Sequence, residues 1–217
     1  GELALAPDGT LYAVSGKIIG KYDFASSSVQ PLVKDVVKPL SMAADADCNL
    51  YVFDAAPERR NIRVYGKDGA LLRCIGEEGG YQPGPWNQNR LNSVTGLAVD
   101  REGKVWAADS TYWPKRVSVW TREGKFLREY LGPTEYGGGG MLDPWDRSRL
   151  FYGPLEFALD WKTGTSSLKS LTWPSDDGWA AGDHPIHVND RIYLATRIQP
   201  AGNTMQVAIV YLYDKQR

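Results

Sequence analysis

Along this chain, apolar residues fall at every second position over short stretches and then give way to turns. Ile62 and Val64 flank Arg63, and Val117 and Val119 flank Ser118. This alternation places apolar side chains on one face of a strand and polar ones on the other. No segment shows comparable 3.6-residue periodicity, so the pattern predicts strands and no long helix. The turns agree: Asp8-Gly9, Asp68-Gly69, Glu102-Gly103, Glu123-Gly124 and Thr163-Gly164 each supply a glycine where a tight hairpin needs positive φ.

The strands recur in groups of four. Residues 96–130 read Gly-Leu-Ala-Val-Asp-Arg-Glu-Gly, Lys-Val-Trp-Ala-Ala-Asp, a polar loop, Arg-Val-Ser-Val-Trp, a Thr-Arg-Glu-Gly turn and Lys-Phe-Leu-Arg-Glu-Tyr. The same order runs from Met42 to Ile75, and outlines of it surround Leu11, Leu150 and Ile192. With Leu11, Leu50, Val105, Leu150 and Ile192 taken as equivalent second-strand positions, the spacings are 39, 55, 45 and 42 residues. Four strands in each such interval is the signature of a β-propeller, whereas sandwiches do not repeat their own sequence. The expectation is an all-β, single-domain propeller over 1–217. Its four-stranded antiparallel blades fall near 1–34, 35–77, 93–132, 137–173 and 184–214, the last lacking its outer strand. That open end, with Gly1 rather than methionine at the start, suggests part of a larger propeller in a longer polypeptide.

Residues 96–130 closely, and 40–76 well, resemble the unit of the NHL-repeat β-propellers, in Gly96-Leu97-Ala98-Val99-Asp100, Val105-Trp106-Ala107-Ala108-Asp109 and Arg116-Val117-Ser118-Val119-Trp120. The resemblance implies the fold and leaves the function open.

Composition narrows the partners. In 217 residues, 42% hydrophobic and 24% charged side chains describe a globular chain rather than a disordered or membrane-embedded one. Lys and Arg total 25 against 26 acidic residues, and a net charge of -1 gives no basic footprint for nucleic acid. No run is long and apolar enough for a helical membrane span, and residues 1–30 lack the order of a signal peptide. Compartment is left unassigned, with an extracytoplasmic setting slightly favoured.

In a four-stranded meander the turns joining strands one to two and three to four share one face. The remaining connections share the other, and here they are the long ones: 54–60, 76–92, 109–115, 132–140, 173–183 and 196–204. Long loops on a rigid scaffold are where binding groups sit. These carry Tyr81, Trp86, Asn87, Arg90, Tyr112, Trp113, Lys115, Tyr136 and Trp179, with His184 nearby. Such aromatic platforms and polar donors suit a protein or glycan partner. The competing structural reading folds several of these aromatics back over blade edges.

Catalytic constellations are weaker. Asp54 and Asp109 end equivalent strands and are read as caps of loop amides. Asp45, Asp47 and Asn49 begin like a calcium loop, but Leu50 stands where the glycine is needed and Ala56 where the glutamate is. His184 and His187, three apart on a strand, point to opposite faces, which opposes two-point ligation. The Gly137–Gly140 run lacks the lysine of a phosphate loop. Cys48 and Cys74 fall too far apart across the blade to pair, so free thiols are expected. No cofactor or metal is expected. The rival reading is a metal-dependent propeller enzyme, a lactonase-like hydrolase or a lyase, with ligands on the central axis at the residues entering each first strand. Those are Ser41, Thr95, Met141 and Ile186 or His184, of which only the histidine is a good ligand.

Overall fold

The computed structural model describes residues 2–111, 114–132, 140–171, 184–189, 191–198 and 206–212. The fold is all-β, a β-propeller architecture built from antiparallel sheets. No helix occurs among the described residues, and so none is long and apolar enough to cross a membrane. The chain divides into two compact units, one formed by 1–81, 87–111 and 115–132, the other by 82–86, 112–114 and 133–217.

The first unit holds three meanders. They are β1 to β4 (Leu3–Leu5, Leu11–Ser15, Ile18–Asp23, Ser28–Val33) and β5 to β8 (Pro39–Ala44, Leu50–Asp54, Asn61–Tyr65, Leu71–Ile75), with a third over residues 94–131. Between the second and third in sequence lies the two-residue strand β9 (Gly84–Pro85), which belongs to the other unit. The third meander is β10 to β13 (Val94–Val99, Val105–Asp109, Arg116–Trp120, Phe126–Leu131). The first strand of the middle meander, β5, lies against both β1 and β10, so the inner strands of three blades adjoin.

The middle sheet shows why these residues make strands. Every residue of β6 and of β7 is buried, because the sheet is covered on both sides. Period two sorts them: Leu50, Val52 and Tyr65 join one core with Tyr12, Ile19, Val33 and Met42, while Tyr51, Phe53, Ile62 and Val64 join a second with Leu91, Val94, Val105 and Trp120. Arg63 takes the face opposite Ile62 and Val64, as the alternation predicts. It stays buried there by donating to the Tyr65 hydroxyl at 3.0 Å and to Asp35 at 2.7 Å.

The turns repeat as the cores do. Asp45 accepts the amides of Asp47 and Asn49 at 3.0 and 2.8 Å, and Asp100 those of Glu102 and Lys104 at 2.9 and 2.8 Å. Gly103 closes its turn with φ near 81°, and Cys48 occupies the matching position at 61°. A non-glycine residue in that region is strained by about 1–3 kcal/mol. The Asp45 oxygens are further engaged by the Asn49 side chain, the Tyr51 hydroxyl and Arg122, so the turn is closed by its own hydrogen bonds and an ion pair.

The second unit contains β14 to β17 (Met141–Leu142, Arg149–Tyr152, Leu155–Asp160, Thr165–Leu171) and β18 to β20 (His184–Val188, Arg191–Ile198, Gln206–Leu212). Here the structure corrects the sequence reading in one respect. Residues 84–85, expected as open loop, form β9 and pair with Ser170 and Leu171 as a fifth strand on the outer edge of β17. The unpaired backbone of an outer edge accepts such a segment, and proline is tolerated there because an edge strand has one side without a ladder.

Both cysteines are free, Cys48 buried and Cys74 exposed. A thiol reagent is therefore expected to modify Cys74 in the native protein and Cys48 only as the fold opens. Counting under denaturing, non-reducing conditions should find two thiols. A count of zero would mean a disulfide and a different strand placement.

Candidate functional site

In the first unit, two of the three blades end their second strand on an aspartate. Asp54, at the end of β6, accepts the amides of Val37 (3.0 Å), Lys38 (2.9 Å) and Ala56 (3.2 Å), and pairs with Arg59 at 2.8 Å. Asp109, at the end of β11, accepts the amides of Asn92 (2.7 Å), Ser93 (3.0 Å) and Thr111 (3.1 Å), and the Thr111 hydroxyl at 2.7 Å. Each carboxylate thus ties the segment entering a blade's first strand to the loop leaving its second. Burial alone would raise the Asp54 pKa, but the three amides and Arg59 outweigh it and hold the carboxyl below its ordinary value. The capping reading of both aspartates holds.

The loop over residues 76–92 is built on this base. Asn92 bridges it, donating from Nδ2 to Thr111 at 2.9 Å while its Oδ1 accepts from Arg60. Gly79 donates its amide to the Arg59 carbonyl at 3.0 Å. Arg116, its side chain wholly buried, pairs with Glu129 at 2.6 Å and donates to the carbonyls of Gln88 and Arg90. Tyr81 lies under that guanidinium, 5.4 Å from ring centre to carbon, and is only 4% exposed. Burial first, and then the Asp109 carboxylate, push its phenol well above the usual range. Tyr81 is therefore a packing residue, not a platform.

On this frame Glu77, Asn87 and Arg90 sit together at the surface. Asn87 donates to Glu77 at 2.7 Å and accepts the Asn89 amide at 2.9 Å, and Arg90 lies 3.5 Å from the same Glu77 oxygen. Asn87 and Arg90 were expected as binding residues, and the structure brings them together. Lys115 is partly buried beside β12, its carbonyl accepting the Gly132 amide at 2.8 Å. In the second unit, Trp86 is partly buried and donates its backbone amide to Lys169 at 2.9 Å, continuing the β9 pairing. Tyr112, Trp113, Tyr136 and Trp179, with Gly137–Gly139, lie outside the described residues. His184 opens β18, where its side chain is not described. Of the axial positions considered for a metal, Ser41 is buried and donates to the Val94 carbonyl at 2.7 Å, joining two inner strands.

Sequence reasoning missed a polar cluster in the second unit, between the fourth blade and β18. Asp143, fully buried, accepts the amide of Trp145 at 2.9 Å and lies 3.0 Å from His187 Nε2. Arg149, 3.8 Å from Asp143, pairs with Glu156 at 2.8 Å, and Glu156 also meets Lys169 at 3.1 Å and Ser170 at 2.5 Å. The available signal was Asp143-Pro144-Trp145-Asp146, a large aromatic placed in a polar turn.

No family model matches the sequence, and no curated protein matches it. Solved structures with similar backbones include a chain of a nidogen/laminin complex (16% identity over 90% of this chain and 73% of that one, TM-score 0.47). A gluconolactonase from Xanthomonas campestris is similar at 18% identity over 97% and 74%, with TM-score 0.47. A catalytically inactive virginiamycin B lyase from Staphylococcus aureus is similar at 13% over 95% and 68%, with TM-score 0.41. The three differ in what they do, and a backbone likeness selects no activity for this chain.

Proposed function

We propose that the chain is a non-catalytic recognition module that binds a protein or glycan partner through its long-loop face. The observation that carries this reading is the construction of the 76–92 loop. A buried arginine and a buried aspartate hold its backbone, and it carries Glu77 hydrogen-bonded to Asn87 and ion-paired with Arg90. A loop fixed before binding loses little conformational entropy on association, which favours affinity from a small contact area. Asn87 and Arg90 supply the polar groups, and Lys115, also expected as a binding residue, belongs to the same unit.

Glycan and peptide arrays probed with the purified protein test the reading. Binding is expected to fall at least tenfold in the N87A/R90A variant. Binding unchanged in that variant, and again after W86A and W113A, would move the site off this face.

A further inference from the structure

The fourth blade turns two indoles to solvent at one end of its meander. Trp145, in the turn between β14 and β15, is 66% exposed, and Trp161, in the turn between β16 and β17, is 65% exposed. Both turns lie at the same end of the meander β14-β15-β16-β17. Folding gains little from an aromatic left so exposed, since most of its apolar surface stays in water.

Both rings are nevertheless held. Trp145 lies on the His187 imidazole, ring centres 3.9 Å apart at 33°, and His187 is seated on the buried Asp143. The Trp161 Nε1 donates to the Arg147 carbonyl at 2.8 Å. Each indole is fixed from beneath while presenting much of its surface outward, so little side-chain freedom is lost when a ligand stacks on it.

We propose that Trp145 and Trp161 form a binding platform for a neutral glycan chain. Pyranose rings offer a face of C–H groups that packs on an indole, and leave their hydroxyls for polar neighbours. The charged residues adjoining the two tryptophans in sequence are Asp146, Arg147, Asp160 and Lys162, all exposed and two of each sign, so the two turns carry no net charge to favour an anionic or cationic ligand. With its N–H already committed to the Arg147 carbonyl, Trp161 has no donor left for a peptide carbonyl. What it offers is its ring, which suits a sugar over a proline-rich peptide. Both indoles lie on one blade of the second unit, with His187 supplied by β18, and the site does not depend on the long-loop reading.

Electrophoretic retardation in native gels containing neutral soluble glucan, xylan, mannan or galactan tests the proposal, with tryptophan fluorescence titration on the polymer that retards most. Retardation by at least one polymer is expected. W145A and W161A should each weaken it tenfold or more, and W145F and W161F should retain most of it. Melting followed by circular dichroism separates binding loss from unfolding. If an alanine variant melts early, comparison of each phenylalanine variant with a leucine at the same site decides, since both fill space and only one stacks. The proposal is overturned if no polymer retards the wild type, or if retardation survives in W145A/W161A. It is also overturned if a proline-rich peptide is bound in preference to every polymer, or if only N87A/R90A loses binding, which would assign the glycan to the long-loop face.

Discussion

Replacing Asp109 with alanine is expected to lower the stability of the protein by about 3–4 kcal/mol, read as a fall in the urea midpoint with little change in slope. The carboxylate is almost fully buried and receives three amides and a hydroxyl between 2.7 and 3.1 Å. Each donor left without a partner costs about 1–3 kcal/mol, and water entering the vacated space recovers part of the sum. Asp109→Asn should fall between wild type and alanine, because one oxygen remains an acceptor while the new amide faces another N–H. A loss below about 1 kcal/mol in the alanine variant would show that the clasp contributes little. Asp54→Ala should behave similarly and should also change the acid limb of stability. The Asp54 carboxyl is held below its ordinary pKa in the folded state. Its contribution is therefore complete above the unfolded value of about 4 and is lost as pH falls through the lower folded value. The exposed Asp35 and the buried Asp45 are depressed in the same direction, against partial desolvation that would raise them, by Arg63 and Tyr65 in one case and by Asn49 and Tyr51 in the other. Acid unfolding should begin below about pH 4, and the Asp54→Ala protein should show a shallower decline over that range.

Arg116→Met is expected to cost about 3 kcal/mol and to loosen one loop selectively. The substitution leaves Glu129, with its side chain 18% exposed, without its guanidinium partner, and removes the donors to the Gln88 and Arg90 carbonyls. Removing one member of a buried ion pair is costly because the other charge stays desolvated. Arg116→Lys should rescue little, since one ammonium cannot span a carboxylate and two carbonyls as the planar fork does. Amide hydrogen exchange should rise across 87–92 in the methionine variant while β1 to β4 keep their protection. A second change, Glu129→Leu, should restore more than half of the loss, because it removes the stranded charge. Uniform deprotection of the whole unit would instead make Arg116 a global stability residue with no special hold on the loop.

The fold was legible in the sequence because its information is local. A blade is a meander, and each hairpin carries its own alternation and turn chemistry within a few residues. Ile62, Val64 and Arg63 sort to opposite faces as their spacing requires, and the Asp100 to Gly103 turn closes as its residues dictate. The loop half of each aspartate cap was legible for the same reason, since a carboxylate ending a second strand stands beside the amides of its own loop, whereas the amides of the entering segment, 16–17 residues earlier, are brought to it by the hairpin.

The candidate surfaces were less legible. Exposure is set by neighbours distant in the chain, and an aromatic in a loop carries no mark of which side it will take. Tyr81 disappears beneath Arg116, 35 residues later in sequence, whereas Trp145 and Trp161 stay at the surface in turns that looked unremarkable. The register of β9 on β17 is likewise nonlocal: nothing in Gly84-Pro85 specifies Ser170 and Leu171, and the pairing exists because an outer edge had unsatisfied backbone groups to offer. The sequence by itself therefore determined the strands, the turns, the blade repeat and the capping aspartates, each a matter of residues close along the chain. Only the tertiary structure decided which arginines are buried, which aromatics face water and that His187 rests on Asp143, because those outcomes depend on the desolvation of groups brought together from separate strands.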